Sequence, residues 1–156
     1  MPKRKTWREK LADDKGLPKT GRITGRMTKR WGTGTMVVPA PREVDAIMRT
    51  IRRGRLITIS EIRACLAKAH KVSMACPITT GIFAWIAAHA AEEAADAGQK
   101  RITPYWRTLK TGGELNAKYP GGLAALRQHL EAEGHKIVTR GKRLFVADYE
   151  KRLAKV

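Results

Sequence analysis

Residues 77–97 read PITTGIFAWIAAHAAEEAADA, and the way this stretch is read decides the fold. Ile78, Ile82, Phe83, Trp85 and Ile86 stand among alanines behind Pro77, which suits the first turn of a helix because no intrahelical donor is lost there. No Lys or Arg occurs between Ala75 and Gly98. Yet the 156-residue chain carries 32 Lys and Arg against 14 Asp and Glu, a formal net charge of +18. A run that excludes cations in so basic a protein reads as the central core helix. Thr79, Thr80, His89, Glu92, Glu93 and Asp96 make it too short and too polar for a membrane span.

Upstream, Val44, Ile47, Met48 and Ile51 recur at helical spacing behind Pro41 and predict a helix over about 41–52. Arg52-Arg53-Gly54-Arg55 ends it, with Gly54 placed for a left-handed cap. Thr58 or Ser60 then caps a second helix, whose apolar face is Ile62, Leu66 and Ala69. After a break over 71–77 comes the alanine-rich helix. Two helices joined by a short turn, the second starting at a proline, are similar to a helix-turn-helix, whose second helix lies against DNA. Having no basic residue, that helix would approach a groove through the small side chains of Thr79, Thr80 and Gly81.

Downstream, residues 102–116 are irregular, and Tyr119-Pro120-Gly121-Gly122 makes a turn before a helix over about 123–133 that Gly134 stops. Ile137-Val138 and Leu144-Phe145-Val146 are short strands flanking Thr139-Arg140-Gly141-Lys142-Arg143, a basic hairpin placed as a wing would be. An amphipathic turn over 147–154 follows. The expected fold is therefore mainly α: a winged helix-turn-helix-like domain over 39–156 with a small C-terminal β-hairpin, preceded by a basic arm over 1–38. Residues 1–31 hold eleven Lys and Arg against Glu9, Asp13 and Asp14. Beyond a short helix near 7–13 this segment is broken by glycines, with Trp7 and Trp31 as its anchors. It is read either as an arm along phosphates or as a solvated tail.

Composition narrows the function. Eighteen excess positive charges make nucleic acid the leading partner class. Cys65 and Cys76 have no CxxC or Cys/His spacing, so neither a disulfide framework nor a metal site is expected, and no cofactor motif occurs. The basic N-terminus is not followed by an apolar segment, so no secretory signal is expected. The reading is a cytoplasmic, nucleoid-associated monomer without a membrane partner. The four histidines are scattered and read as structural or exposed.

Four motifs in order then carry a family resemblance: Thr103-Pro104-Tyr105-Trp106-Arg107-Thr108, Gly112-Gly113-Glu114-Leu115, Tyr119-Pro120-Gly121-Gly122 and Leu130-Glu131-Ala132-Glu133-Gly134-His135, with Leu56-Ile57-Thr58-Ile59-Ser60-Glu61-Ile62 and Ile78-Thr79-Thr80-Gly81 upstream. Over about 41–135 the chain resembles the DNA-binding domain of the alkylguanine-DNA alkyltransferases. In that family a cysteine thiolate, activated through a histidine, a water and a glutamate, takes an alkyl group from guanine. The resemblance puts Tyr105 at the cysteine position and Trp106 at the histidine, while Arg107 and Glu133 remain. A phenol with an ordinary pKa near 10 and no adjacent base is a poor nucleophile, so catalytic residues are not expected. Ile78 falls where the family has an intercalating arginine, and Ile59 where it has a phosphate-rotating tyrosine. An isoleucine can wedge between base steps but cannot pair with an orphaned base.

The chain is closest in character to the non-catalytic alkyltransferase-like proteins, which bind damaged guanine for hand-over to excision repair. The resemblance thus implies duplex DNA as partner, with a repair protein as a further one. The expected DNA contacts are Ile59, Ile78, Thr79, Thr80, Gly81, Arg140, Lys142 and Arg143. The expected lesion pocket is Tyr105, Trp106, Arg107, Tyr119, Gly121 and Gly122, where aromatic rings would stack on a flipped base. Those rings could equally fill the core of a lost active site. Two further functions remain open: a basic RNA- or ribosome-associated module on the same fold, and a residual methylated-DNA-protein cysteine methyltransferase using Cys76.

Overall fold

The computed structural model describes residues 4–156; Met1, Pro2 and Lys3, the last a charge of the expected arm, lie outside the described residues. In chain order the elements are α1 (Trp7–Ala12), β1 (Lys19–Arg22), α2 (Met27–Trp31), β2 (Thr35–Val38), α3 (Pro41–Arg49), β3 (Ile57–Thr58), α4 (Ile59–Ala69), β4 (Met74–Ala75) and α5 (Pro77–Asp96). A 3-10 turn (Tyr105–Arg107), β5 (Thr108–Leu109), α6 (Gly122–Ala132), β6 (Ile137–Arg140), β7 (Arg143–Val146) and a last 3-10 turn (Tyr149–Arg152) complete the fold.

The expected mainly α, winged helix-turn-helix-like architecture is present. Helix α5 is apolar on nearly every side, and helices of that kind are stable only when enclosed. It packs against α1, α3, α4 and the 3-10 turn at Tyr105. Val44, Met48, Ile62, Leu66, Leu126 and Leu130 from the surrounding helices are buried with it. Each such side chain contributes roughly 1.5–3 kcal/mol by leaving water. Among the described residues no helix is long and apolar enough to cross a membrane, and no group of three or more His, Cys, Asp or Glu is arranged to hold a metal ion.

Helix boundaries follow local chemistry. Helix α3 stops at Arg49, short of the expected 52, because the Thr50 hydroxyl turns back to donate to Ile47 O at 2.7 Å. Gly54, at φ +84°, therefore serves the turn after the helix, not its cap. Thr58, not Ser60, caps α4, and the Glu61 carboxylate accepts from Thr58 N at 2.9 Å in return. Gly134, at φ +90°, ends α6 with its N–H on Glu131 O and that of His135 on Leu130 O, each at 3.0 Å.

The segment expected as an arm is folded onto this body. Trp7 stacks on His89 (4.5 Å between ring centres) and meets Trp85 edge-on at 4.8 Å. Glu93 of α5 accepts from Trp7 N at 3.1 Å and from Arg8 Nε at 3.0 Å. Strand β1 pairs antiparallel with β2 (Lys19 opposite Val38), and β2 pairs parallel with β4 (Met36 opposite Met74). Strands β3 and β5 pair in parallel, and β6 and β7 form the hairpin, with Ile137 opposite Val146 and Arg140 opposite Arg143.

Candidate nucleic-acid interface

The first turns of α5 break the pattern of burial. Ile78 and Ile82 are 48% and 45% exposed while Phe83, Ile86 and the following alanines are enclosed. Apart from the helix's own backbone and the chain neighbours, nothing lies within 4 Å of the position a Cβ on half-buried Gly81 would take, so there is open space beside it. Ile78, Gly81, Ile82 and Trp85 face Asn116 and Lys118 across a groove of about 380 Å3. Trp85 Nε1 donates to Lys118 O at 3.2 Å and fixes the far wall.

Of the residues expected at this surface, Ile78 and Gly81 are open to a ligand. Thr80 is not: it is fully buried, and its hydroxyl donates to Cys76 O at 2.7 Å. This corrects the expectation, since a helix position two after Ile78 turns inward. Thr79 and Ile59 are half-buried, and Ile59, the first residue of α4, packs against the core. The apolar run alone puts Ile82 with the core residues; its i+4 relation to Ile78, which puts both on one helix face, is the signal for its outward position.

In the hairpin, Arg140 and Arg143 each hold a guanidinium 5.1 Å from the centre of the Phe145 ring. Arg143 also pairs with Glu114 at 2.7 Å and holds that carboxyl below its ordinary range. Arg143 is thus already partnered. Arg140 and Lys142 make no ion pair among the described residues and are exposed at the turn.

The expected lesion pocket is filled from within. Tyr105 and Tyr119 are only 2% and 3% exposed, and their rings meet edge-on 6.2 Å apart in the core. The Tyr105 hydroxyl donates to Glu92 Oε2 at 3.0 Å. Burial, and then the neighbouring Glu92, push this phenol well above its ordinary pKa; burial does the same to Tyr119. Tyr105, which the resemblance would put in place of a nucleophile, is therefore a protonated donor inside the protein. Trp106 is half-buried, stacked on His129 with ring centres 4.1 Å apart, and its Nε1 donates to Glu133 at 2.9 Å. Arg107 grips the same carboxylate at 2.9 and 2.7 Å and donates to Ile51 O at 2.6 Å. Burial alone would raise Glu133, but the hydrogen bonds from Arg107 and Trp106 outweigh it and hold the carboxyl below its ordinary range.

Three aromatics and an ion pair thus form a strut joining the turn after α3, the 3-10 turn and α6, in place of an open cleft. Gly121 serves this packing: at φ +79° it starts α6 in a conformation few other residues accept, and a Cβ there would collide with that of Ala125. Gly122, at φ +68°, has open space beside it. Cys76 is buried, with its N–H on Val37 O at 2.9 Å. Cys65 is half-buried, and burial followed by the charge of Glu61 pushes its thiol up.

Helix α4, a connection through β4, helix α5 and the C-terminal basic hairpin make up a winged helix-turn-helix-like fold. No protein-family model matches the chain, and no curated protein matches it in sequence. It is similar to the structure of S. pombe Atl1 in complex with damaged DNA containing O6-carboxymethylguanine, at 16% sequence identity and a TM-score of 0.49, over 74% of this chain and 94% of that one.

Proposed function

We propose that this chain binds duplex DNA by setting the first turn of α5 into a groove and the hairpin tip against phosphates, and that residue 105 transfers no alkyl group. One observation carries the reading: in a chain of net charge +18, an otherwise enclosed helix begins with two large outward apolar side chains, Ile78 and Ile82, beside the open space at Gly81. Apolar side chains of this kind wedge between base steps, and open space beside a glycine permits close approach. Arg140 and Lys142 would neutralise phosphates beside it. The residues around 19–30 would add to that field from the β1 strand and α2.

Because the tyrosines at 105 and 119 are committed to the core, the reading includes no stacking pocket for an alkylated base. Duplexes with and without O6-alkylguanine should bind within about twofold of each other, and no alkyl label should move to Tyr105 or to buried Cys76. Competition among plain duplex, alkylguanine duplex and structured RNA at several salt concentrations tests this. Preference for the alkylated duplex would restore lesion recognition, and preference for RNA would support the RNA- or ribosome-associated alternative.

A further inference from the structure

A second concentration of charge lies at the root of the hairpin, away from its tip. His135 and Lys136 on leaving α6, with Asp148, Lys151 and Arg152 on leaving β7, line a crevice of about 220 Å3. Three cations face one carboxylate, and none of these four charged groups forms an ion pair among the described residues. The walls are fixed by backbone bonds: Ala147 N to Lys136 O at 2.8 Å, and Leu56 N to Arg152 O at 2.9 Å.

His135 is what marks the crevice as a site. The residue is 6% exposed, and its Nε2 is shielded from solvent with no hydrogen-bond partner among the described residues. Buried polar atoms are nearly always paired, so an orphan in a cationic crevice points to a ligand that supplies an acceptor. Burial, then the charge of Arg152, keeps the imidazole below its ordinary pKa, with Glu133 opposing and Arg107 reinforcing. At neutral pH the ring then carries one N–H, which can donate without adding a further buried charge.

We propose that this crevice binds a phosphoryl group, with the neutral His135 ring as an N–H donor in its wall while Arg152, Lys136 and Lys151 neutralise the charge. The phosphoryl group could belong to a nucleic-acid backbone, a source that rests on the DNA-binding reading, or to a free phosphate, which does not. Tetrahedral oxyanions suit such a mixed set of a ring donor and flexible cations.

Side-chain NMR of the full chain tests this, following the His135 ring nitrogens during titration with inorganic phosphate, with a dinucleoside monophosphate, and with potassium chloride at matched ionic strength. A saturable His135 shift with phosphate that chloride does not produce is expected, with the midpoint raised at least tenfold in Lys136→Gln/Arg152→Gln. A comparable midpoint for the diester identifies the nucleic-acid backbone as the source; response to inorganic phosphate alone identifies a free phosphate. An Ile78→Ser/Ile82→Ser variant should respond to phosphate as the parent does, so failure of the DNA reading would leave this result standing. No shift beyond that caused by chloride, or an equal midpoint in the double variant, overturns the proposal.

Discussion

Glu133 closes α6 and accepts from both Trp106 and Arg107. Replacing it by Gln leaves the Arg107 guanidinium, whose side chain is 14% exposed, without its counter-charge. The expected loss is roughly 3 kcal/mol, the lower end for breaking a buried pair, read as a shift in urea midpoint. The pH dependence has two stages with the same sign. His135 has a depressed folded pKa, so the unfolded chain takes up the proton first and stability falls as pH drops below about 6.5. Glu133 is depressed too, so its contribution is full above about 4.3 and is lost as pH falls through its lower folded value. Urea melts from pH 8 to 3 in phosphate-free buffer should show both stages, and His135→Gln should abolish the first. Sequence alone left Tyr105 open between cleft and core. What decides it is Glu92, an acceptor thirteen residues earlier that packing brings to the Tyr105 hydroxyl.

Among the elements, α1 is too short to persist alone and owes its form to α5. Glu93→Gln removes the charge that holds Trp7 N and Arg8. Amide exchange over 7–12 should then accelerate several-fold while α5 stays protected; unchanged exchange would show that the Trp7 stack alone holds α1. In the hairpin, Arg140→Glu/Lys142→Glu should weaken duplex binding and flatten its salt dependence with little effect on stability. Arg143→Glu should also destabilise the fold, because it confronts Glu114 with a like charge. The helices α4, α5 and α6 and the hairpin were legible because caps, periodicity and Gly134 are local signals. The β1, β2, β4 sheet was not. Strand β1 is KTGR with all four residues exposed and so shows no alternation, and β2 finds β4 nearly forty residues later along only two paired positions. Charge and glycine made that segment read as an arm, whereas the partners that fold it lie on α5 and β4.

For the molecule as a whole, the proposed binding mode gives the charge of +18 and the outward first turns of α5 separable contributions. Charge sets how steeply affinity falls with salt, near −0.9 per neutralised phosphate on a log-log plot for duplex DNA. In the proposed mode the apolar turn would add a contact that releases no counterions. The order of motifs in the sequence foreshadowed this arrangement, but which face of α5 stays uncovered depends on α1, α3 and α4 closing around the rest of it. Equilibrium binding of the full chain and of Ile78→Ser/Ile82→Ser to one plain duplex, across a salt series, tests the central claim most directly. Both proteins should give straight log-log lines of the same steep slope, the variant lying at least tenfold lower in affinity at every salt concentration. Coincident lines, or binding that ignores salt, would contradict it.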